Sequence, residues 1–303
     1  MVVVLFAISV LTFLIFNVIP GGDPARRMAG KTPTPDQIQR IKQEWGFDKS
    51  LPVQYGKTMQ KLFSGNLTSY VTQLSVTEEI KKGLPRTFSL AIGAALLWMF
   101  VAVGLGLFTA VRAGQFSDRF LTILALVGIS MPVFWVGALM NYFLGFKWGI
   151  FPNGGYVELT KNPVDWAYHL LMPWLALSLL FIGVYSRVLR SNILDTINDD
   201  YVRTARAKGL SERQILFRHV LRNSLIPVVT LWGLDFGAVV GGGAILTESV
   251  FDLQGVGQYA AESINHLDVP PVLAVTMFGA FFIVFLNAIV DIVYAALDPR
   301  IRL

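Results

Sequence analysis

The sequence predicts an all-α integral membrane protein with six transmembrane helices and a large extracytoplasmic loop between the first two. Three observations lead there. Hydrophobic residues make up 54% of the chain and charged residues only 15%, whereas a soluble domain carries about a quarter charged residues. Six apolar stretches read as spans, set against the roughly 20 helical residues needed to cross about 30 Å of hydrocarbon. Inside lipid a helix satisfies its own backbone hydrogen bonds, which an open strand cannot do.

Taken in order, residues 1–19 hold the first span, Val2–Ile19. It lacks a basic leader and runs into IPGGDPARRM, which offers no small-x-small cleavage site, so an uncleaved span is expected. Residues 20–86 form the outer loop, which reads as a small helical subdomain. In TPDQ, Thr34 suits an N-cap, Pro35 the first turn and Gln37 the capping-box position, and the helix it opens should stop at Gly46. Residues 87–303 make a five-helix core: Thr87–Val111, Phe120–Phe146, Leu170–Tyr185, Ser224–Thr247 and Val272–Leu297. Leu170–Tyr185 is the shortest of these, and Pro132 is expected to bend the third span. The chain shows no internal repeat and no low-complexity tract.

Orientation follows from where lysine and arginine sit. The connection after the second span holds Arg112 and Arg119; the one after the fourth holds Arg187, Arg190, Arg203, Arg206, Lys208, Arg213, Arg218 and Arg222. Arg300 and Arg302 end the chain, whereas Phe251 to Pro270 has no basic residue. Both termini are therefore expected in the cytoplasm. The long outer loop is basic too, but loops above about 60 residues largely escape the charge rule.

Several chemistries drop out. With no cysteine there is no disulfide framework, thiolate metal site or cysteine nucleophile. AGKT at Ala29–Thr32 resembles the end of a phosphate-binding loop, but the glycine required five residues before Gly30 is Ala25. His169, His219 and His266 lie in three separate connections and make no metal cluster. NLT at Asn66 matches a glycosylation acceptor at a length common by chance.

The segment DDYVRTARAKGLSERQILFRHVLRNSLIPVV, Asp199 to Val229, is the exception in this apolar chain. Asp199 and Asp200 suit the positive end of a helix and Lys208 its negative end. Tyr201, Val202, Ala205 and Leu210 form a narrow apolar face, with Arg203 and Arg206 projecting away from it. Gly209 reads as a left-handed stop, and Ser211 with Gln214 as a capping box that restarts helix into the fifth span. Such a bend on the cytoplasmic face fits two roles: arginines on anionic headgroups, or a rigid helix docked in a groove of a soluble partner.

RTARAKG followed by a basic helix and SLIPVV resembles the EAA loop of permease subunits in bacterial ATP-binding-cassette (ABC) importers. Further strings, in order, are similar to the dipeptide/oligopeptide branch of that family: VIPGGDPA, GFDKSLPVQY, LFSGNLTSY, LPRTFSLA, ISMPVFWVGAL, IFPNGGY, DYVRTARAKGLS and VDIVYAALDPRIR. The resemblance implies a type I ABC importer permease fold and a coupling loop at about residues 188–222. It implies ATPase docking by Tyr201, Val202, Arg203, Thr204, Ala205, Arg206, Ala207, Lys208, Gly209 and Leu210. Arg203, Thr204 and Ala205 take the places of the motif's EAA, with arginine for its glutamate, and Arg222 stands where its later proline would be. The absent basic leader is a further departure and points to a trimmed or mis-started chain.

The resemblance also implies a setting. The expected partners are an extracytoplasmic solute-binding protein, a second permease subunit (a paralogue) and two cytoplasmic ATPase subunits that carry ATP and Mg. The chain itself binds no cofactor, holds no metal, catalyses nothing, meets no nucleic acid and sits in lipid as a multi-pass protein of the bacterial inner membrane. Closure of the ATPases would move the docked helix, and the fourth and fifth spans would re-expose a cavity outward. Di- and oligopeptides are the expected cargo, although nickel chelates and some sugars use similar subunits.

Asp235 lies within the fifth span, where an aspartate costs roughly 2.5–3.5 kcal/mol to insert. It reads either as a pathway residue meeting a peptide's amino terminus or as a carboxylate hydrogen-bonded to a neighbouring helix. Trp232, Gly241 and Gly242 join it as pathway candidates, and Gly237 and Gly243 add to a run that permits close helix approach. Glu248, Asp252, Gly255 and Gly257 are candidates for the outer mouth, or else a solvated loop cap. Asp291, Asp298 and Arg300 read as an ion pair or helix-end anchor. Two other classes stay open at this level. An ion-coupled carrier would show paired broken helices in two related halves. A structural anchor would leave Asp235 and the basic bend without a role.

Overall fold

A computed structural model of the chain describes residues 2–17, 25–26, 29 and 34–297. Among them the fold is helical, with one isolated antiparallel bridge between Thr68 and Ser75. The helices are α1 (Val2–Asn17), α2 (Pro35–Trp45), α3 (Leu51–Phe63), α4 (Val76–Val111), α5 (Phe116–Ser130), α6 (Val133–Lys147), α7 (Pro163–Thr196), α8 (Asp200–Ala207), α9 (Glu212–Gly243), α10 (Ile245–Val250), α11 (Val256–Asn265) and α12 (Val269–Leu297). Wider π turns end α6 at Asn141–Lys147 and interrupt α9 at Leu216–Val220 and Val239–Gly243. The chain divides into two compact units: residues 1–88 with 240–285, and residues 89–239 with 286–303.

In the first unit, α2 opens with the expected capping box of Thr34 and Gln37 and stops at Gly46, whose φ is 72°. Its Trp45 joins Leu67, Tyr70, Val76, Val269 and Ala274 in a buried apolar cluster. The outer loop is thus a folded body. A carboxylate secures it, since Asp268 (3% exposed) accepts from the Ser69 hydroxyl at 2.5 Å and the Tyr70 N–H at 2.8 Å. The apolar helix α1 reaches the same unit through Ser9, whose hydroxyl pairs with that of Tyr55 at 2.6 Å. Phe13 meets the Tyr55 ring edge-on.

In the second unit, α7 lies along α4 and α5 by virtue of small residues. A side chain at Gly93 would enter the ring of Trp174, whose indole N–H donates to Ser89 O at 2.9 Å. A Cβ at Gly183 would stand 2.8 Å from Ala125 O and 2.7 Å from Ile129. Trp98 is fully buried and stacks on Phe181 with ring centroids 4.3 Å apart. Such backbone-level contacts suit membrane helices, which gain little from apolar burial and rely on close packing.

Four helices among the described residues are long and apolar enough to cross a membrane: α4, α7, α9 and Val269–Val290 of α12. The third expected span is two helices, α5 and α6, meeting at 96°, and makes a fifth if the pair counts as one. Proline is the cause. The residue before it is forced out of helical conformation, and Met131 is extended at φ −90°, ψ 128°. The fourth span is longer than expected because Asn162 caps it and accepts from the N–H groups of Val164 and Asp165. The fifth ends earlier, at Gly243, because Gly242 turns the chain at φ 139° and Ile245–Val250 is a separate helix. The first span, α1, has 16 residues and reaches about 24 Å at 1.5 Å per residue. Ile19 and much of the sequence after it, the Gly30–Thr32 stretch, Asp298, Arg300 and the side chain of Asp291 lie outside the described residues.

Candidate functional site

The basic bend is a helix, a left-handed residue and a second helix, as its sequence predicts. Asp199 precedes α8, and the chain reverses at Gly209 with φ 80°. The Leu210 N–H reaches back to Ala205 O at 3.4 Å, and the Gly209 N–H to Arg206 O at 3.0 Å. Ser211 and Gln214 then form the capping box that opens α9. Arg206 spans the bend and donates from Nε and Nη2 to the two Glu212 oxygens at 2.6 and 3.1 Å. The Asn223 amide donates to the Tyr201 hydroxyl at 2.8 Å. Val202 and Ala205 are buried, which seats α8 on the chain. Tyr201 and Leu210, expected on the same apolar face, are exposed, together with Arg203, Thr204, Arg206, Ala207, Lys208 and Gly209. A rigid corner thus presents a basic surface with two uncovered apolar side chains.

Asp235 is half-buried and its Oδ2 accepts from the Tyr185 hydroxyl at 2.7 Å. This is the hydrogen-bonded carboxylate that the insertion cost calls for, with the partner on α7. Trp232 stacks on Phe236 and donates its indole N–H to Ala95 O at 2.9 Å, so it is anchored to α4. Asp235 and Trp232 belong to the second unit and Gly241 and Gly242 to the first. Gly241 has an internal use: a Cβ there would stand 2.4 Å from Ile283 and 3.0 Å from Gly279 O. Its close approach is spent on α12 of the same chain.

The outer-mouth candidates come together, but not as a solvated cap. Glu248 is fully buried. It accepts from the Thr87 hydroxyl at 2.7 Å and from the Gln258 N–H at 2.8 Å, while Thr87 Oγ1 in turn accepts from the Val256 N–H at 2.9 Å. Its carboxylate therefore stands at the N-terminus of α11, where the helix dipole favours an anion. Burial pushes the Glu248 carboxyl above the usual carboxylate range, and these donors oppose that shift. The glycines make room: a Cβ on Gly255 or Gly257 would come within 2.4 or 2.9 Å of the carboxylate. Gly257 lies inside α11 rather than in a turn. Asp252 is exposed, at φ 46°, and accepts from the Gln258 side-chain amide at 2.8 Å. Thr87 and Gln258 carry this arrangement without any local motif to announce them, and Thr87 comes from 161 residues away.

A fold that is helical among the described residues, with four helices long and apolar enough to cross a membrane, defines the class of multi-pass membrane proteins. Its family follows from comparison with known proteins. Residues 102–303 match the model described as binding-protein-dependent transport system inner membrane component. Residues 1–91 match the N-terminal model of the same membrane components. The chain belongs to this family. It is 36% identical over 300 residues to a Brucella abortus (strain 2308) protein that carries the name of a peptide transport system permease, covering 99% of this chain and 95% of that one. It is 33% identical over 303 residues to the oligopeptide transport system permease protein AppB of Bacillus subtilis (strain 168), covering 99% and 95%. A solved structure of the MetNI methionine ABC transporter in an inward-facing conformation shares the fold, with a TM-score of 0.60 at 16% identity over 73% of this chain and 97% of that one. The chain is a transport permease of the ABC importer class rather than a stand-alone ion-coupled carrier.

Proposed function

We propose that this chain is one of two permease subunits of an ATP-driven importer of di- or oligopeptides, working in a bacterial inner membrane with both termini in the cytoplasm. Two cytoplasmic ATPase subunits supply ATP and Mg, and an extracytoplasmic binding protein delivers the solute. The six-span topology takes α1 as the first span and the α5–α6 pair as the third. The observation that carries the reading is the corner at Asp200–Ala207 and Gly209: largely exposed, basic, turned at a left-handed glycine, followed by the Ser211–Gln214 capping box and stapled by Arg206 and Glu212. A freely solvated arm would need none of this bracing. Closure of the ATPases on ATP moves the corner, and α7 and α9, which flank it in the chain, carry the motion into the membrane. The names of the relatives, peptide and oligopeptide permeases, support the choice of cargo.

Affinity purification of the tagged chain from its own membranes is expected to bring down an ATPase. Uptake in liposomes is expected to need ATP and to ignore an imposed ion gradient. Transport by the chain alone on such a gradient would overturn the reading.

Asp235 tests the pathway. Asp235→Asn removes the charge but leaves a carbonyl to accept from Tyr185, so the fold is expected to hold. If the carboxylate meets a peptide's ammonium group, uptake of peptides with a free amino terminus falls by roughly ten- to a hundredfold, for a charge-assisted bond worth roughly 1.5–3 kcal/mol. N-acetylated peptides should be unaffected. Equal uptake of both in the variant and the unaltered protein would leave Asp235 a packing residue.

A further inference from the structure

The second unit contains an ion pair that the proposed mechanism does not yet use. Asp118 sits in the first turn of α5 and is 3% exposed. Arg190, in the last two turns of α7, grips it with a fork: Nε to Oδ1 and Nη2 to Oδ2, both at 2.8 Å. The Gly114 N–H adds a bond to Oδ2 at 2.9 Å, from a glycine at φ 81° in the turn between α4 and α5. Asp118 thus ties three things together: the α4–α5 turn, the start of α5 and the end of α7. Paired, bidentate geometry of this kind is directional and resists sliding, and a carboxylate covered to this extent has little water to replace its partner.

The position of the pair gives it its use. Arg190 lies six residues before Thr196, where α7 ends, and α8 begins at Asp200. Two polar bonds brace the stretch between: the Asn192 amide donates to Ser224 O at 3.4 Å, and the Ser224 hydroxyl to Thr196 Oγ1 at 3.3 Å. Beyond the pair, α5 and α7 stay in backbone-level contact through Gly183 and Ala125. A push on α8 therefore arrives first at the last turns of α7. Without a directional joint the start of α5, which no short loop ties to α7, could lag behind.

We propose that Asp118 and Arg190 are positioning residues that make α5 follow α7 when the corner at Gly209 moves, so that the work of ATP binding reaches the bent α5–α6 pair as well as α7 and α9. The proposal rests on the reading of α8 as the ATPase-docking element. Neither residue touches the transported solute in this scheme; each acts through the helix it holds.

The natural absence of cysteine makes the test direct. Spin labels go on two cysteines introduced at exposed sites outside the docking residues, Ile123→Cys on α5 and Asp195→Cys in the last turn of α7, and the label-to-label distance is read in the purified transporter complex with and without ATP and vanadate. With the pair intact, the distance is expected to stay narrow and unchanged, because both labels ride on one body. In Asp118→Asn/Arg190→Gln, which removes both charges and so leaves no orphan, the distance is expected to shift on adding ATP, or its spread to widen, by about 2 Å or more, the scale of helix displacements in switching proteins. A double variant with the narrow, unchanged distance of the parent would overturn the proposal. Should that variant not assemble, Arg190→Lys, which keeps the charge but loses the fork, supplies the same comparison. Co-purification of the ATPase with the parent reports separately on the docking reading: if no ATPase is present that reading fails, whereas a shift confined to the variants is the signature of the joint.

Discussion

Gly209→Val is expected to leave the protein inserted and assembled and to abolish ATP-driven uptake. The reason is backbone conformation alone. Gly209 sits at φ 80°, and a Cβ placed there meets nothing within 4 Å, so no clash contributes. A side chain in the left-handed region costs roughly 1–2 kcal/mol, and a β-branched one is a clear outlier there. The chain relieves that strain by relaxing toward right-handed helix, which straightens the corner. The return bonds from Gly209 and Leu210 and the Arg206–Glu212 staple are then lost, and α8 no longer meets its partner at the built angle. Gly209→Pro acts similarly by forcing φ negative. Asparagine tolerates the left-handed region better than other side chains, so activity is expected to follow Gly, then Asn, then Ala, then Val. Uptake per assembled complex in proteoliposomes checks the order. Undiminished uptake in the valine variant would count decisively against the docking role.

Glu248→Ala is expected to lower the thermal stability of the purified protein by about 3 kcal/mol or more, because it orphans buried donors worth roughly 1–3 kcal/mol each. The Thr87 hydroxyl and the Gln258 N–H lose their acceptor together, and no solvent reaches a side chain that is fully buried. Glu248→Gln should be far milder, about 1 kcal/mol. Its carbonyl still accepts from Gln258 and its amide can donate to Thr87 Oγ1, so at most the Thr87 O–H is left without an acceptor, and it escapes the cost of burying a charge. Equal melting of the two variants would show that charge, not hydrogen bonding, holds the hairpin of α10 and α11.

The pH dependence has a definite sign. Burial raises the Glu248 pKa in the folded state above its unfolded value, so between the two the folded protein binds more protons. Stability from this group is therefore greatest at low pH and declines as pH rises from the unfolded toward the folded pKa. This is the reverse of a salt-bridged carboxylate. Glu248→Gln should remove that component of the slope, as thermal melts across the acidic range would show.

Much of the helical frame was readable in advance because the forces that set it are local. Both capping boxes, Thr34 with Gln37 and Ser211 with Gln214, formed as expected, as did the stops at Gly46 and Gly209. Each depends on residues within four positions of one another. Apolar length located the long membrane helices for the same reason. The misjudged ends are instructive. Apolar counting saw Phe120–Phe146 as one bent span, whereas the restriction Pro132 places on Met131 divides it outright. It stopped the fourth span at Tyr185, although helix continues through polar residues to Thr196.

The partners of the charged groups were not readable. Asp118 and Arg190 are 72 residues apart, Thr87 and Glu248 161, Tyr185 and Asp235 50. Arg190 entered the sequence reading only as one more cytoplasmic positive charge, and Glu248 as a candidate for the outer mouth or a solvated loop cap. By itself, then, the sequence determined that this is a helical membrane protein with a basic corner, since helix starts, stops and lipid solubility are decided by near neighbours and by length. Which carboxylate is buried, which is exposed and which donor each one meets was decided by the tertiary structure alone. A charge in a low-dielectric interior needs several partners at once, and the decisive ones here, Arg190 for Asp118 and Thr87 for Glu248, come from distant parts of the chain.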